Sequence, residues 1–358
     1  SKGVIMKKEL LMASALVSTL GAASIAEAVT ASTSGSMHIG QEFDSPGGSV
    51  DTNSTIDQVN FSVSLSEVTD NGTTISSSFM LENESGGVDD DNAIKLTFAG
   101  GTAIELLNAG NASGTHDIAI PGAGGQQGVA GTTTANAPTG LDFGAGATTL
   151  GFEWHSPSDF VMDGLKMSAS YSSGNGVAAT TTVKMDSSWG VGATYVTTAG
   201  DADITIGAGL AGSDFINTGT AVTNDQGGMH FGISAALEGG LTVAVGIADG
   251  DTLVDDGSTV ALANTQVDGS VVKAGAKYVT GDITLNVGLV SGEAQDSDTQ
   301  GTAGTTDDSW DEMNASVSLV VAEGVSAVLG YTTVDVDDEG ASTDNGGSAW
   351  YVGATMSF

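Results

Sequence analysis

The sequence predicts an all-β fold: a transmembrane antiparallel β-barrel of sixteen strands. Apolar residues recur at every second position in run after run, and these runs are joined alternately by short turns and long polar segments. Glycine supplies 53 of 358 residues and proline only 4, a composition that favours tight turns and disfavours helices. A soluble two-layer sheet also shows period-two runs. The repeated alternation of short turn and long loop, with apolar residues on one face and Gly, Ser, Thr, Asn and Lys on the other, points to a barrel in lipid.

The chain opens with Lys7 and Lys8, an apolar stretch from Leu10 to Ala26 that lacks a polar face, and Ala26-Glu27-Ala28. That order of charge, apolar centre and small-residue exit is a Sec-type export signal. Residues 1–28 are therefore expected to be cleaved, leaving 29–358 as one barrel domain. Strands follow near 35–43, 55–66, 73–83, 92–99 and 102–108, then, after a long gap, near 148–156, 164–172, 188–198 and 202–211. Three hairpins come next. Met229 to Leu237 and Leu241 to Ile247 meet around Gly239-Gly240, Val272 to Tyr278 and Ile283 to Leu289 around Gly281-Asp282, and Met313 to Val321 and Val325 to Tyr331 around Ala322-Glu323-Gly324.

The last strand sets Trp350, Val352, Ala354, Met356 and Phe358 on one apolar face. An even count places both termini on the short-turn, periplasmic side. The weakly alternating stretch 177–186 reads as loop or strand extension, and an eighteen-strand count follows if 139–145 pairs as well.

Charge excludes several functions. The chain holds 44 acidic and 8 basic residues, for a net charge of -36, and all eight basic residues are lysines. A nucleic-acid surface needs clustered cations and is excluded. With no cysteine, thiol catalysis, zinc-thiolate sites and disulfides are excluded too. No apolar run of about 20 residues follows the leader, which excludes a helical bundle. No Gly-x-Ser-x-Gly elbow is present, and no Ser/His/Asp set gathers at one rim, so the chain is not read as an enzyme.

Strand parity selects residues for the lumen. Lys95 lies between Ile94 and Leu96, Lys166 between Leu165 and Met167, and Lys273 and Lys277 alternate with Val272, Ala274, Ala276 and Tyr278. A lysine at mid-depth against lipid costs about 2–4 kcal/mol, which supports the lumenal side. Glu153 and His155 alternate with Phe152 and Trp154 and face inward by the same rule. The four histidines lack metal-ligand spacing, which disfavours a histidine metal site. Acidic runs, among them Asp249-Gly-Asp251, Asp307-Asp308, Asp311-Glu312 and Asp335 to Glu339, are expected in outer loops. There they form a solvated negative vestibule, with Asp335, Asp337, Asp338 and Glu339 as candidates for a loop-bound Ca²⁺ or Mg²⁺.

The export signal, the C-terminal WYVGATMSF ending in Phe358 and the segment TLGFEWHSPSDFVMDGLKMSASY at 149–171 resemble general diffusion porins of the Gram-negative outer membrane, of the alphaproteobacterial type. The resemblance implies a homotrimer of sixteen-stranded barrels, with a long third loop folded into the lumen to form an eyelet, and here 109–147 falls after the fifth strand. It implies outer-membrane lipid and lipopolysaccharide as surroundings, and Trp350 and Phe358 as a signal read by the assembly machinery. Lys95, Asp117, Asp142, Glu153 and His155 become eyelet candidates, with Lys166, Lys273 and Lys277 along the lumen. Eyelets of this family usually oppose arginines to loop acids, and this chain has no arginine. The expected function is passive, cation-preferring diffusion of small hydrophilic solutes. The rival reading is a secreted acidic surface-layer or adhesin-like β structure.

Overall fold

The computed structural model describes residues 29–46, 51–82, 88–89, 94–107, 111–122, 151–173, 183–217, 223–254, 265–295, 307–337 and 346–358. Residues 1–28, where the leader is expected, the stretch 139–145 and Asp142 lie outside the described residues.

Among the described residues, seventeen strand segments form one antiparallel sheet. They are β1 (Thr30–Pro46), β2 (Thr52–Val68), β3 (Thr74–Glu82), β4 (Val88–Asp89), β5 (Ile94–Thr97), β6 (Ala103–Leu106), β7 (Gly151–His155), β8 (Leu165–Ser173) and β9 (Val183–Ala199). The second half continues with β10 (Ala202–Asn217), β11 (Thr223–Leu237), β12 (Leu241–Val254), β13 (Thr265–Thr280), β14 (Ile283–Gln295), β15 (Asp307–Ala322), β16 (Val325–Asp337) and β17 (Gly347–Ser357). Both β4 and β5 pair with β3, at opposite ends, so together they fill one position in the wall. The barrel therefore has sixteen strands. It closes where β1 pairs with β17, from Ser36 opposite Ser357 to Pro46 opposite Gly347. Closure pairs the first strand with the last, which removes the open sheet edge that hydrocarbon would not tolerate.

The seven connections at one end run from two to nine residues, and the first and last strands of the barrel meet there: the backbones of Gly35 and Phe358 bond reciprocally at 2.9 and 3.1 Å. Gly281 and Gly324 turn the chain at φ 57° and 71°, a region side-chain-bearing residues avoid. The stretch 177–186 resolves in part as strand extension, since β9 begins at Val183.

The outward face decides between membrane and water. Val245 is 42% exposed and Ile247 50%, and Leu285, Val287, Leu289, Leu329 and Val352 are similarly open. A soluble protein rarely leaves such a belt uncovered, whereas lipid solvates it. The secreted soluble alternative fails on this point. No helix among the described residues is long and apolar enough to cross a membrane.

One expectation needs correction. Asp249 and Asp251 belong to β12, Asp307, Asp308, Asp311 and Glu312 to β15, and Asp335 and Asp337 to β16, not to outer loops. A tilted strand needs only about 9–11 residues to cross the hydrocarbon. Here β9 to β16 run 13 to 17 residues, so their outer ends stand beyond it. In water both faces of a strand can be polar, and the alternation that marks a strand fades. Asp338 and Glu339 lie outside the described residues.

Candidate functional site: the loop-lined lumen

Residues 111–122 follow β6, the fifth strand of the wall, and run inside the barrel across the strands. This segment holds one short 3-10 turn, Gly114–His116. A backbone crossing a wall at close range needs partners for its polar groups and room for its atoms. The wall supplies both.

Room comes from lumen-facing glycines. A Cβ on Gly192 of β9 would meet the Ala112 carbonyl and the His116 ring, and one on Gly207 of β10 the His116 carbonyl and the Ile118 side chain. Gly232 of β11 lies under Ile118, while Gly275 of β13 and Gly288 of β14 lie under Pro121. Register lines these positions up: Gly192 is opposite Gly209, Gly207 opposite Gly232, and Gly275 opposite Gly288. The result is a shallow track around the wall in which the loop is seated. Ile120 adds an apolar anchor against buried Ala248 and Val271.

Polar partners hold the first half of the segment. The Ala112 amide donates to Ser170 Oγ at 2.9 Å, Thr115 Oγ1 to Glu153 Oε1 at 2.6 Å, and His230 Nε2 to the Ser113 carbonyl at 2.9 Å. His116 lies 2.7 Å from Thr194 Oγ1 through Nδ1 and 2.9 Å from Ser168 Oγ through Nε2. Burial holds its pKa down at about 4, with neighbouring His155, His230 and Lys166 adding to the effect. At neutral pH the imidazole is therefore uncharged, with one nitrogen donating and the other accepting.

The candidates from the sequence fall around this loop. Lys95, Glu105, Glu153, Ser170 and Gly190 stand opposite one another in a continuous cross-strand row. Lys95 Nζ bonds Glu105 Oε1 at 2.6 Å. Glu153, only 1% exposed, sits beneath Thr115. His155 Nδ1 approaches the same Ser168 hydroxyl at 3.0 Å. Lys166 pairs in register with Thr194, the partner of His116. Lys273 shares a cavity of ≈ 350 Å³ with Asp117, Glu312 and Asn314. Asp117 lies 3.8 Å from His230 Nδ1, and burial pushes its carboxyl pKa up. Lys277 has the same parity as Gly275, nearer the short turns.

Sequence reading missed Glu105, Ser168 and His230, and weighed His116 only as a metal ligand that lacks the spacing. Glu105 was within reach, since it alternates with Ile104 and Leu106 as Lys95 does with its neighbours. The roles of the other three depend on the loop's path, which carries no periodic signal. On the lumen parity of β1 and β2 stand His38, Glu42, Asp44, Gln58 and Asn60, so no basic wall faces the loop among these described residues.

A family model described as "Gram-negative porin" matches residues 13–339. Among solved structures the chain is similar to the outer-membrane channel DcaP of Acinetobacter baumannii, at 10% identity and TM-score 0.63 over 92% of this chain and 97% of that one. It is also similar to an anion-selective porin from Comamonas acidovorans (10%, TM-score 0.60, 92% and 100% covered). A third is the trimer form of OmpT from Vibrio cholerae (13%, TM-score 0.56, 92% and 99% covered). No curated protein matches. A closed sixteen-stranded barrel, an apolar belt facing out and a family model spanning nearly the whole chain agree: this chain belongs to the Gram-negative porin family, as a channel of the outer membrane and not an enzyme.

Proposed function

We propose that this porin is a homotrimeric, cation-preferring pore for passive diffusion of small hydrophilic solutes, exported through its Sec signal with cleavage after Ala28. The charge of the lumen carries the reading. Acids stand on β1, on the loop and on the wall beneath it, against a few lysines and no arginine anywhere in the chain. Lys95, Asp117, Glu153 and His155 form the eyelet, with Asp142 further along the same loop, and Lys166, Lys273 and Lys277 line the lumen. Charged linings set ion selectivity, and an acidic surround concentrates cations. The similarity to a porin solved in trimer form supports the trimer. Trp350 and Phe358 serve as the assembly signal, and lipopolysaccharide surrounds the outer wall. Divalent cations bound at Asp335, Asp337, Asp338 and Glu339 would bridge neighbouring outer segments.

Planar-bilayer reversal potentials in a KCl gradient test the selectivity. Potassium is expected to permeate better than chloride, and the preference should shrink as salt shortens the Debye length to about 3 Å near 1 M. Anion preference at low salt would overturn the proposal. Phe358→Ala is expected to lower the yield of folded trimer in the outer membrane, read as heat-modifiable gel mobility. Unchanged yield would remove the assembly role.

A further inference from the structure

Glu105 and Glu153 face each other across β6 and β7 on the lumenal side. Like charges directly opposite in an antiparallel pair destabilise it, and burial of Glu153 removes the water that would soften the repulsion. Lys95 answers one charge, because its ammonium sits on Glu105 Oε1. The hydroxyl that reaches Glu153 Oε1, that of Thr115, is neutral.

His155 completes the group. Its Nε2 is 3.3 Å from Glu105 Oε1 and its Nδ1 is 3.7 Å from Glu153 Oε1. One ligand atom from each of the three residues fits within 4.8 Å of the others. Ser168 Oγ lies 3.0 Å from His155 Nδ1, so a proton on Nδ1 has an acceptor. Nε2, buried and without a hydrogen bond of good geometry, lies 3.3 Å from Glu105 Oε1. A hydroxyl that can hold one ring nitrogen while the other faces a carboxylate is the arrangement of a metal-ligating histidine.

We infer that Glu105, Glu153 and His155 bind a divalent transition-metal cation of the zinc class in the pore wall. One imidazole and two carboxylates suit Zn²⁺ with a fourth position open to lumenal water. Ca²⁺ and Mg²⁺ select all-oxygen sites and are disfavoured by the imidazole. Lys95 is the competitor: its half-exposed side chain leaves Glu105 for the lumen when the metal enters. Metal binding does not depend on the selectivity proposed above, although its electrical readout uses the pore.

The test uses full trimers stripped with EDTA. Zn²⁺ bound per protomer is measured directly, and single-channel conductance is followed as ZnCl₂ is added. One tight site per protomer is expected, together with a conductance change that EDTA reverses. His155→Gln and Glu105→Gln should each weaken Zn²⁺ at least about tenfold. Lys95→Met should tighten it, which a merely structural lysine would not do. CaCl₂ at equal concentration should leave the site empty. Absence of tight Zn²⁺ binding overturns the inference. So does binding unchanged by His155→Gln, which would assign the metal to surface acids. Unheated gel mobility checks that each variant remains a folded barrel.

Discussion

Gly207→Val and Gly275→Val are each expected to unseat the constricting loop and raise single-channel conductance by roughly twofold, as withdrawal of a wall-seated segment from a water-filled lumen implies. A Cβ on Gly207 collides with the His116 carbonyl, and one on Gly275 with the Pro121 carbonyl. These obstacles are loop backbone, so rotating a side chain does not relieve them. Overpacking of this kind costs about 1–3 kcal/mol, comparable to the few hydrogen bonds that hold the segment. The strain falls on the loop because the wall strands are locked on both sides by continuous ladders. The barrel should therefore keep its heat-modifiable mobility. A milder variant offers a rescue. At Gly232 a new Cβ meets chiefly the Ile118 side chain, so the conductance of Gly232→Ala should return toward the parent value when Ile118→Gly is added. Unchanged conductance in both valine variants would show that the loop is held by something other than its seat.

Tyr351→Ala should produce the largest loss of barrel stability. Tyr351 is fully buried on the lumenal side of β17, and its hydroxyl donates to the Ile39 carbonyl at 3.2 Å across the seam that closes the barrel. The ring lies over Gly40 and Gly353, where any Cβ would displace it. It covers backbone that glycine leaves bare at the junction of the first and last strands. Truncating a buried aromatic costs about 3–5 kcal/mol. Tyr351→Phe keeps the ring and loses one hydrogen bond, worth about 1 kcal/mol. The temperature at which the unheated gel band converts should fall far more for alanine than for phenylalanine. Val352→Ala, on the outward face where lipid refills the gap, should fall least. Equal melting of Tyr351→Ala and the parent would show that this contact does not hold the seam.

Legibility followed the range of each signal. Alternation with period two is written in consecutive residues. Strand existence and the sixteen-strand count could therefore be read without coordinates, and the same alternation assigns Lys95, Glu153, His155, Lys166, Lys273 and Lys277 to one face of the wall. Strand ends were less readable. Where β12, β15 and β16 pass beyond lipid, Asp249, Asp311 and Asp335 share the outward face with apolar residues, and the pattern resembles a loop. The same fading pattern suggests an outer loop at Glu312, which instead lines the cavity beside Asp117.

By itself the sequence determined what each residue could do: which face it takes, how much charge the pore carries, and that no arginine is available to build a basic wall. Only the tertiary structure decided which residues meet. Register brings Lys95, Glu105 and Glu153 into one row although Glu153 is far along the chain, and closure sets Tyr351 against Ile39. The loop's path puts His116 over Gly192 and turns scattered glycines into a seat. Such pairings follow from the geometry of a closed ladder, in which each strand's position depends on every strand before it, and no local pattern encodes that sum.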